Sequence, residues 1–119
     1  MRVLSLLWVG TRTTEYTATV AFFQDVLGLR VHSSETDFAV LDVPDGATVE
    51  IFGPASQYNQ HITHPVAGFL VSDLDDAVRE LQAAGVEIVL PIQGGGTRFW
   101  MHFRAPDGFV YGLAEDRST

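Results

Sequence analysis

At 119 residues with 46% hydrophobic content, the chain fits one domain that buries a core and needs no linker between two. Seven basic against 15 acidic residues give a net charge of −8, which argues against nucleic-acid binding by phosphate neutralisation. The absence of cysteine excludes disulfides, thiolate metal sites and a cysteine nucleophile.

Val3 to Val9 is a continuous apolar run suited to a central strand, with Trp8 near its end. It is too short to span a membrane, and Thr-Arg-Thr-Thr-Glu follows it in place of a small-residue cleavage site, so a soluble, cytoplasmic protein is expected. Thr13 or Thr14 can cap a helix whose apolar stripe is Tyr16, Val20, Phe23 and Leu27, with Gly28 as the stop. Val31, Phe38 to Val43 and Thr48 to Phe52 read as three strands, and Asp45-Gly46 turns the hairpin between the last two. The polar stretch from Gly53 to His64 reads as a connector.

The second half repeats this outline. Val66 to Val71 is a strand, Ser72 or Asp73 caps a helix carrying Leu74, Val78 and Leu81, and Gly85 ends it. Val86 to Leu90 is the next strand, and the run Gly94 to Gly96 reads as a flexible loop after Pro91. In Arg98 to Arg104, period two puts Phe99, Met101 and Phe103 on one face and Arg98, Trp100, His102 and Arg104 on the other. Pro106, Asp107 and Gly108 make a turn into a last strand, Phe109 to Leu113. The acidic excess collects on the second helix (Asp73, Asp75, Asp76, Glu80) and at Glu115 and Asp116, as a solubility coat.

Each half is thus strand, helix, three strands: module one over 1–54, a connector over 55–63, module two over 64–115. The expected fold is α+β, two βαβββ modules whose curved sheets join into a concave eight-stranded groove with the helices outside. Three segments carry a resemblance: AFFQDVLGL (Ala21 to Leu29), GFLVSDLDDAVRELQAAGV (Gly68 to Val86) and FRAPDGFVYGL (Phe103 to Leu113). They resemble the vicinal oxygen chelate superfamily of glyoxalases, bleomycin-resistance proteins and extradiol dioxygenases. The resemblance implies paired βαβββ modules, often a homodimer, and a cavity that commonly holds one divalent metal.

Laid on this sequence, the superfamily's His, Glu, His, Glu ligand pattern falls on Trp8, Glu50, Val66 and Gly112, of which only Glu50 can ligate. No cofactor is therefore expected. The alternative is one divalent ion (Fe, Zn, Mn or Ni) on relocated ligands His64, Glu50 and His102, with His64 two residues before Val66. His32 and His61 read as solvated.

Without a metal, Trp8, Phe52, Trp100 and Tyr111 are candidate aromatic walls, although strict alternation puts Val110 and Gly112 inward in place of Tyr111. Arg98, His102 and Arg104 add donors and positive charge that suit a flat carboxylate or phenolate. The expected function is a metal-free protein that binds a small aromatic or carboxylate-bearing molecule. The alternative is a lyase, isomerase or dioxygenase, with relocated metal ligands or, without a metal, with Glu50 or His102 as acid or base.

Overall fold

The computed structural model describes residues 1–118. The elements in chain order are β1 (Val3–Arg12), α1 (Tyr16–Ala21), β2 (Arg30–Glu35), β3 (Phe38–Asp42), β4 (Thr48–Phe52), β5 (Val66–Val71), α2 (Leu74–Ala83), β6 (Ile88–Gly95), β7 (Arg98–Arg104) and β8 (Val110–Asp116). This is the expected α+β arrangement of two βαβββ modules. Two compact units emerge: Trp8–Val66 forms one, and Met1–Leu7 joins the chain from Ala67 onward in the other. In that second unit the Arg2 carbonyl accepts the Ser72 amide at 3.1 Å, and the N-terminal ammonium pairs with Glu80.

In the first unit the strand order is β2-β3-β4-β1, with β1 parallel to β4 and the other pairs antiparallel. Ala39, Leu41, Val49 and Ile51 form its buried core, and Tyr16, Val20 and Phe23 from α1 pack against them. The second unit repeats the plan as β5-β8-β7-β6. Met101 and Leu113 pack there with Val71, Leu74 and Ala77, flanked by Phe99 and Phe103. Asp73 caps α2 by accepting the Asp76 amide at 3.0 Å. Among the described residues, no helix is long and apolar enough to cross a membrane.

Several elements depart from the sequence expectation, each for a local reason. Thr13 accepts the Glu15 amide at 2.9 Å in a side-chain turn, and α1 begins without a side-chain cap. The helix widens into a π-type turn over Phe22–Val26, marked by the Leu27 amide bonding the Phe22 carbonyl at 3.1 Å. The added residue rotates Leu27 off the apolar stripe to 52% exposure, and Leu29 packs on the core instead. Of the acids expected as a solubility coat, Asp75 and Asp76 stay exposed while pairing with Arg117 and Arg79, and Glu115 alone turns inward, holding Arg117 and accepting the Leu74 amide.

The glycine run is not a flexible loop. Gly94 and Gly95 are paired in β6 with Phe99 and Arg98, and the chain reverses at Gly96-Thr97, where Gly96 takes φ +62°. Pro91 is tolerated within β6 because this is the sheet's edge strand, where a missing N–H breaks no ladder bond. Phe99 lies flat across Gly94, such that a Cβ there would sit 2.2 Å from the ring, whereas a Cβ at Gly95 would meet nothing within 4 Å. Gly94→Ala is therefore expected to destabilise the fold by about 1–3 kcal/mol, the usual cost of overpacking, and Gly95→Ala by much less. Thermal melts of the two variants check this; equal melting temperatures would refute the ring-on-glycine packing.

Candidate functional site

Because each helix takes one face of its sheet, the chemistry has to lie on the other face. In the first unit, register puts Trp8, Gly10 and Arg12 of β1 alongside Thr48, Glu50 and Phe52 of β4, and Val40 and Phe38 of β3 alongside Glu50 and Phe52. The Trp8 indole folds over Gly10, where a Cβ would fall 2.4 Å from the ring. Gly10 is the direct partner of Glu50, so the indole lies over the backbone position beside that carboxylate. Glu50 is half-buried, and desolvation pushes its pKa up to about 7. Phe52 is 0% exposed, stacked on Phe38 at 5.0 Å with the Arg12 guanidinium 5.2 Å over its ring. It is a core residue with no surface left for a ligand, contrary to its expected place as a wall.

In the second unit Trp100 and His102 share the face opposite the core, Trp100 half-buried and His102 only 3% exposed. His102 stands in register with Leu90 and Gly112. Tyr111 lies on the other face: its ring stacks on Phe103 and its hydroxyl donates to Asp107 at 2.6 Å. That bond holds the Asp107 carboxyl below the usual range and raises the Tyr111 phenol. The strict alternation that put Gly112 inward is what the structure shows.

The arginines do not form the expected clamp. Arg98 pairs with Asp116 at 3.1 Å, and Arg104 bonds Glu87 at 3.2 Å and the Gly108 carbonyl at 2.8 Å. Six residues of extended strand separate them by about 20 Å, too far for both to reach one small anion.

Register also makes the internal repeat concrete. Gly10 pairs with Glu50 in the first unit and Gly68 with Gly112 in the second, so Trp8, Gly10 and Glu50 correspond to Val66, Gly68 and Gly112. Val40 and Phe38 correspond in turn to His102 and Trp100. The positions that would hold a metal by resemblance thus provide an indole, a carboxyl, an isopropyl group and a bare backbone, a donor set that does not fit a divalent ion. The relocated set is not assembled either. His64 lies in an exposed bend before β5, hydrogen-bonded to Thr63 at 2.9 Å, because the strand does not extend to it. Among the described residues, no three His, Asp or Glu side chains are gathered to hold a metal. Of the other histidines, His32 is exposed beside Asp42 at 3.3 Å, while His61 is half-buried where solvation was expected.

One residue of this face escaped the sequence reading. Arg12, taken as part of the polar stretch after β1, is the last residue of that strand. Its guanidinium bonds the carbonyls of Ile62 at 3.0 Å, Gly53 at 2.9 Å, Ser56 at 3.3 Å, Tyr58 at 2.6 Å and Asn59 at 3.2 Å. Extending the Val3 to Val9 strand by three residues would have put it on the Trp8 face, but its partners are backbone atoms that no side-chain pattern reveals.

The Glu50 environment fixes a pH dependence. Its folded pKa, about 7, lies above the ordinary 4.5, so the unfolded chain loses this proton first as pH rises. Below the unfolded value the group has no effect; between the two values it progressively destabilises the fold, and above the folded value the loss is complete. Glu50→Gln, which keeps the shape without the charge, is expected to match the native protein near pH 4 and exceed its stability by on the order of 2–3 kcal/mol at pH 8. Urea unfolding of both proteins from pH 4 to pH 8 measures this, and parallel curves would show that Glu50 is not desolvated.

The sequence matches the Glyoxalase/Bleomycin resistance protein/Dioxygenase superfamily over residues 5–112. No curated protein matches. Among solved structures, a superfamily member from Vibrio splendidus 12B01 is similar at TM-score 0.69 and 21% identity, covering 95% of this chain and 99% of that one. Methylmalonyl-CoA epimerase from Mycobacterium tuberculosis is similar at TM-score 0.72 and 22% identity, covering 98% and 90%. The Streptomyces coelicolor methylmalonyl-CoA epimerase in complex with 2-nitronate-propionyl-CoA has TM-score 0.72 and 16% identity, covering 98% and 99%. Likeness at these identities speaks for the fold, and the sequence match covers most of the chain: this protein belongs to the Glyoxalase/Bleomycin resistance protein/Dioxygenase superfamily.

Proposed function

We propose that this chain binds a small, ring-bearing molecule without a resident metal, and that Glu50 is its working polar group. The observation that carries this is the half-buried, partly desolvated Glu50 carboxyl on the sheet face left open by α1, beside the indole of Trp8. A carboxylic acid near half-protonation at neutral pH donates a hydrogen bond to a carbonyl or ring nitrogen, and as a carboxylate it accepts one. With Arg98 and Arg104 engaged at opposite ends of β7, a carboxylate-bearing ligand loses its support and a neutral aromatic one keeps it. The homodimer implied by the superfamily belongs to the same proposal, and sedimentation at several concentrations tests it.

A second reading is favoured by the same carboxyl: a group titrating near neutrality suits general acid–base catalysis. The neighbouring methylmalonyl-CoA epimerases give a concrete substrate to try, since epimerisation needs a proton removed from carbon and returned.

A thermal-shift screen of neutral aromatic compounds and antibiotics at pH 6 and pH 8 tests binding. Ligand at a hundred times its Kd is expected to stabilise by about 2.7 kcal/mol, with the larger shift at pH 6. Glu50→Gln, which can still donate, should keep affinity within severalfold and lose the pH difference, and Trp8→Ala should weaken uptake. Failure of every ring compound at both pH values counts against the proposal. Deuterium uptake by methylmalonyl-CoA in deuterium oxide, present with the native protein and abolished in Glu50→Gln, would instead establish the catalytic reading.

A further inference from the structure

The segment between β4 and β5 contains no strand or long helix, and two side chains from outside it hold its course: Asp37 accepts the Ala55 amide at 2.7 Å, and Arg12 reaches much further along it. A guanidinium has five N–H donors in a rigid plane, and all five in Arg12 are used on different backbone carbonyls between Gly53 and Ile62. The segment is pressed onto the sheet at two points. Tyr58 packs on Phe38 with ring centroids 5.0 Å apart, and Arg12 itself covers Phe52. Phe38 and Phe52 adjoin Val40 and Glu50 on the same face, so the segment roofs the part of the face next to Glu50. Ser56 and Ile62 are buried within it.

We infer that Arg12 is a positioning residue that latches residues 53–62 over Phe38 and Phe52 and thereby keeps water from the Glu50 end of the face. The inference rests on the proposed role of Glu50. Lysine cannot substitute, because an ammonium has three donors and no planar fork to span carbonyls spread along the segment. The other ionisable groups are Asp42 of β3, paired with Arg30 and His32, Glu35 of β2, bonded to Tyr58, and Asp37 of the turn between β2 and β3, whose carboxylate accepts the Ala55 amide at 2.7 Å. His61 lies on the segment itself.

Arg12→Lys and Arg12→Ala in the full chain test this with two readouts: amide exchange at Ser56 and Ile62, whose N–H groups bond the Gly53 and Asn59 carbonyls at 3.2 and 2.9 Å, and carboxyl-carbon titration of Glu50 by NMR. Exchange at these amides is expected to rise about tenfold or more while β3 and β4 stay protected, since only a local opening is involved. The Glu50 midpoint is expected to fall by about one pH unit or more as water reaches it. Added guanidinium ion should reverse both effects in Arg12→Ala. Should that variant fail to fold, Arg12→Lys decides alone. Unchanged exchange overturns the latch, and faster exchange with an unchanged Glu50 midpoint reduces Arg12 to a structural tether, which also overturns it. A native Glu50 that titrates in the ordinary carboxyl range instead overturns the role proposed for Glu50, and the inference falls with it for that separate reason.

Discussion

Successive side chains along a strand point to opposite faces, so once a helix covers one face of a four-stranded sheet, every polar group of consequence must appear on the other. This constraint organises both units. In the first, Ala39, Leu41, Val49 and Ile51 turn towards α1, which commits Val40, Thr48, Glu50 and Phe52 to the opposite side. In the second, Met101 and Leu113 turn towards α2 and commit Trp100, His102 and Gly112. A one-residue slip in β4 would move Glu50 into the helix interface, where an ionisable group has no partner. The register of the central strands therefore fixes the chemistry as well as the packing.

Glu50 and Arg12 sit two positions apart along the β1–β4 register but serve different ends. A cation brought close to a carboxylate lowers its pKa, and desolvation raises it. Glu50 is raised, with burial as the cause, while all five donors of Arg12 go to carbonyl oxygens. A guanidinium spent in this way organises a loop without neutralising the acid beside it. The Trp8 indole adds to the same effect by filling the space above Gly10.

Period-two alternation made the faces legible from sequence. It put Trp100 and His102 together, and it gave the warning about Tyr111 that the stacking on Phe103 bears out. The repeat of strand, helix and three strands was legible too, down to Trp8, Glu50, Val66 and Gly112 falling at equivalent places. What stayed hidden depends on partners distant in sequence. Phe52 looks like a wall until Phe38 and Arg12 are seen to cover it, and Arg98 and Arg104 look like a clamp until Asp116 and Glu87 engage them. The Gly94 to Gly96 run resembles a loop until the Phe99 ring is seen to occupy the space left by a missing Cβ.

The two modules differ where the superfamily's metal chemistry would lie, and the difference has an electrostatic consequence. A carboxylate in a dry site is neutralised by a cation, by hydrogen bonds to its charged form, or by a proton. The positions equivalent to Trp8 and Glu50 in the second module are Val66 and Gly112, and neither has a side chain able to ligate a cation. The arginines of β7 are engaged at its ends, and Arg12 is committed to the loop. On the proposed metal-free reading, the proton is what remains, and a carboxyl that takes a proton in place of an ion becomes a hydrogen-bond donor near neutral pH. Under the proposed function, the same residue type at the same strand position would serve to recognise an acceptor on a small molecule in place of holding a metal.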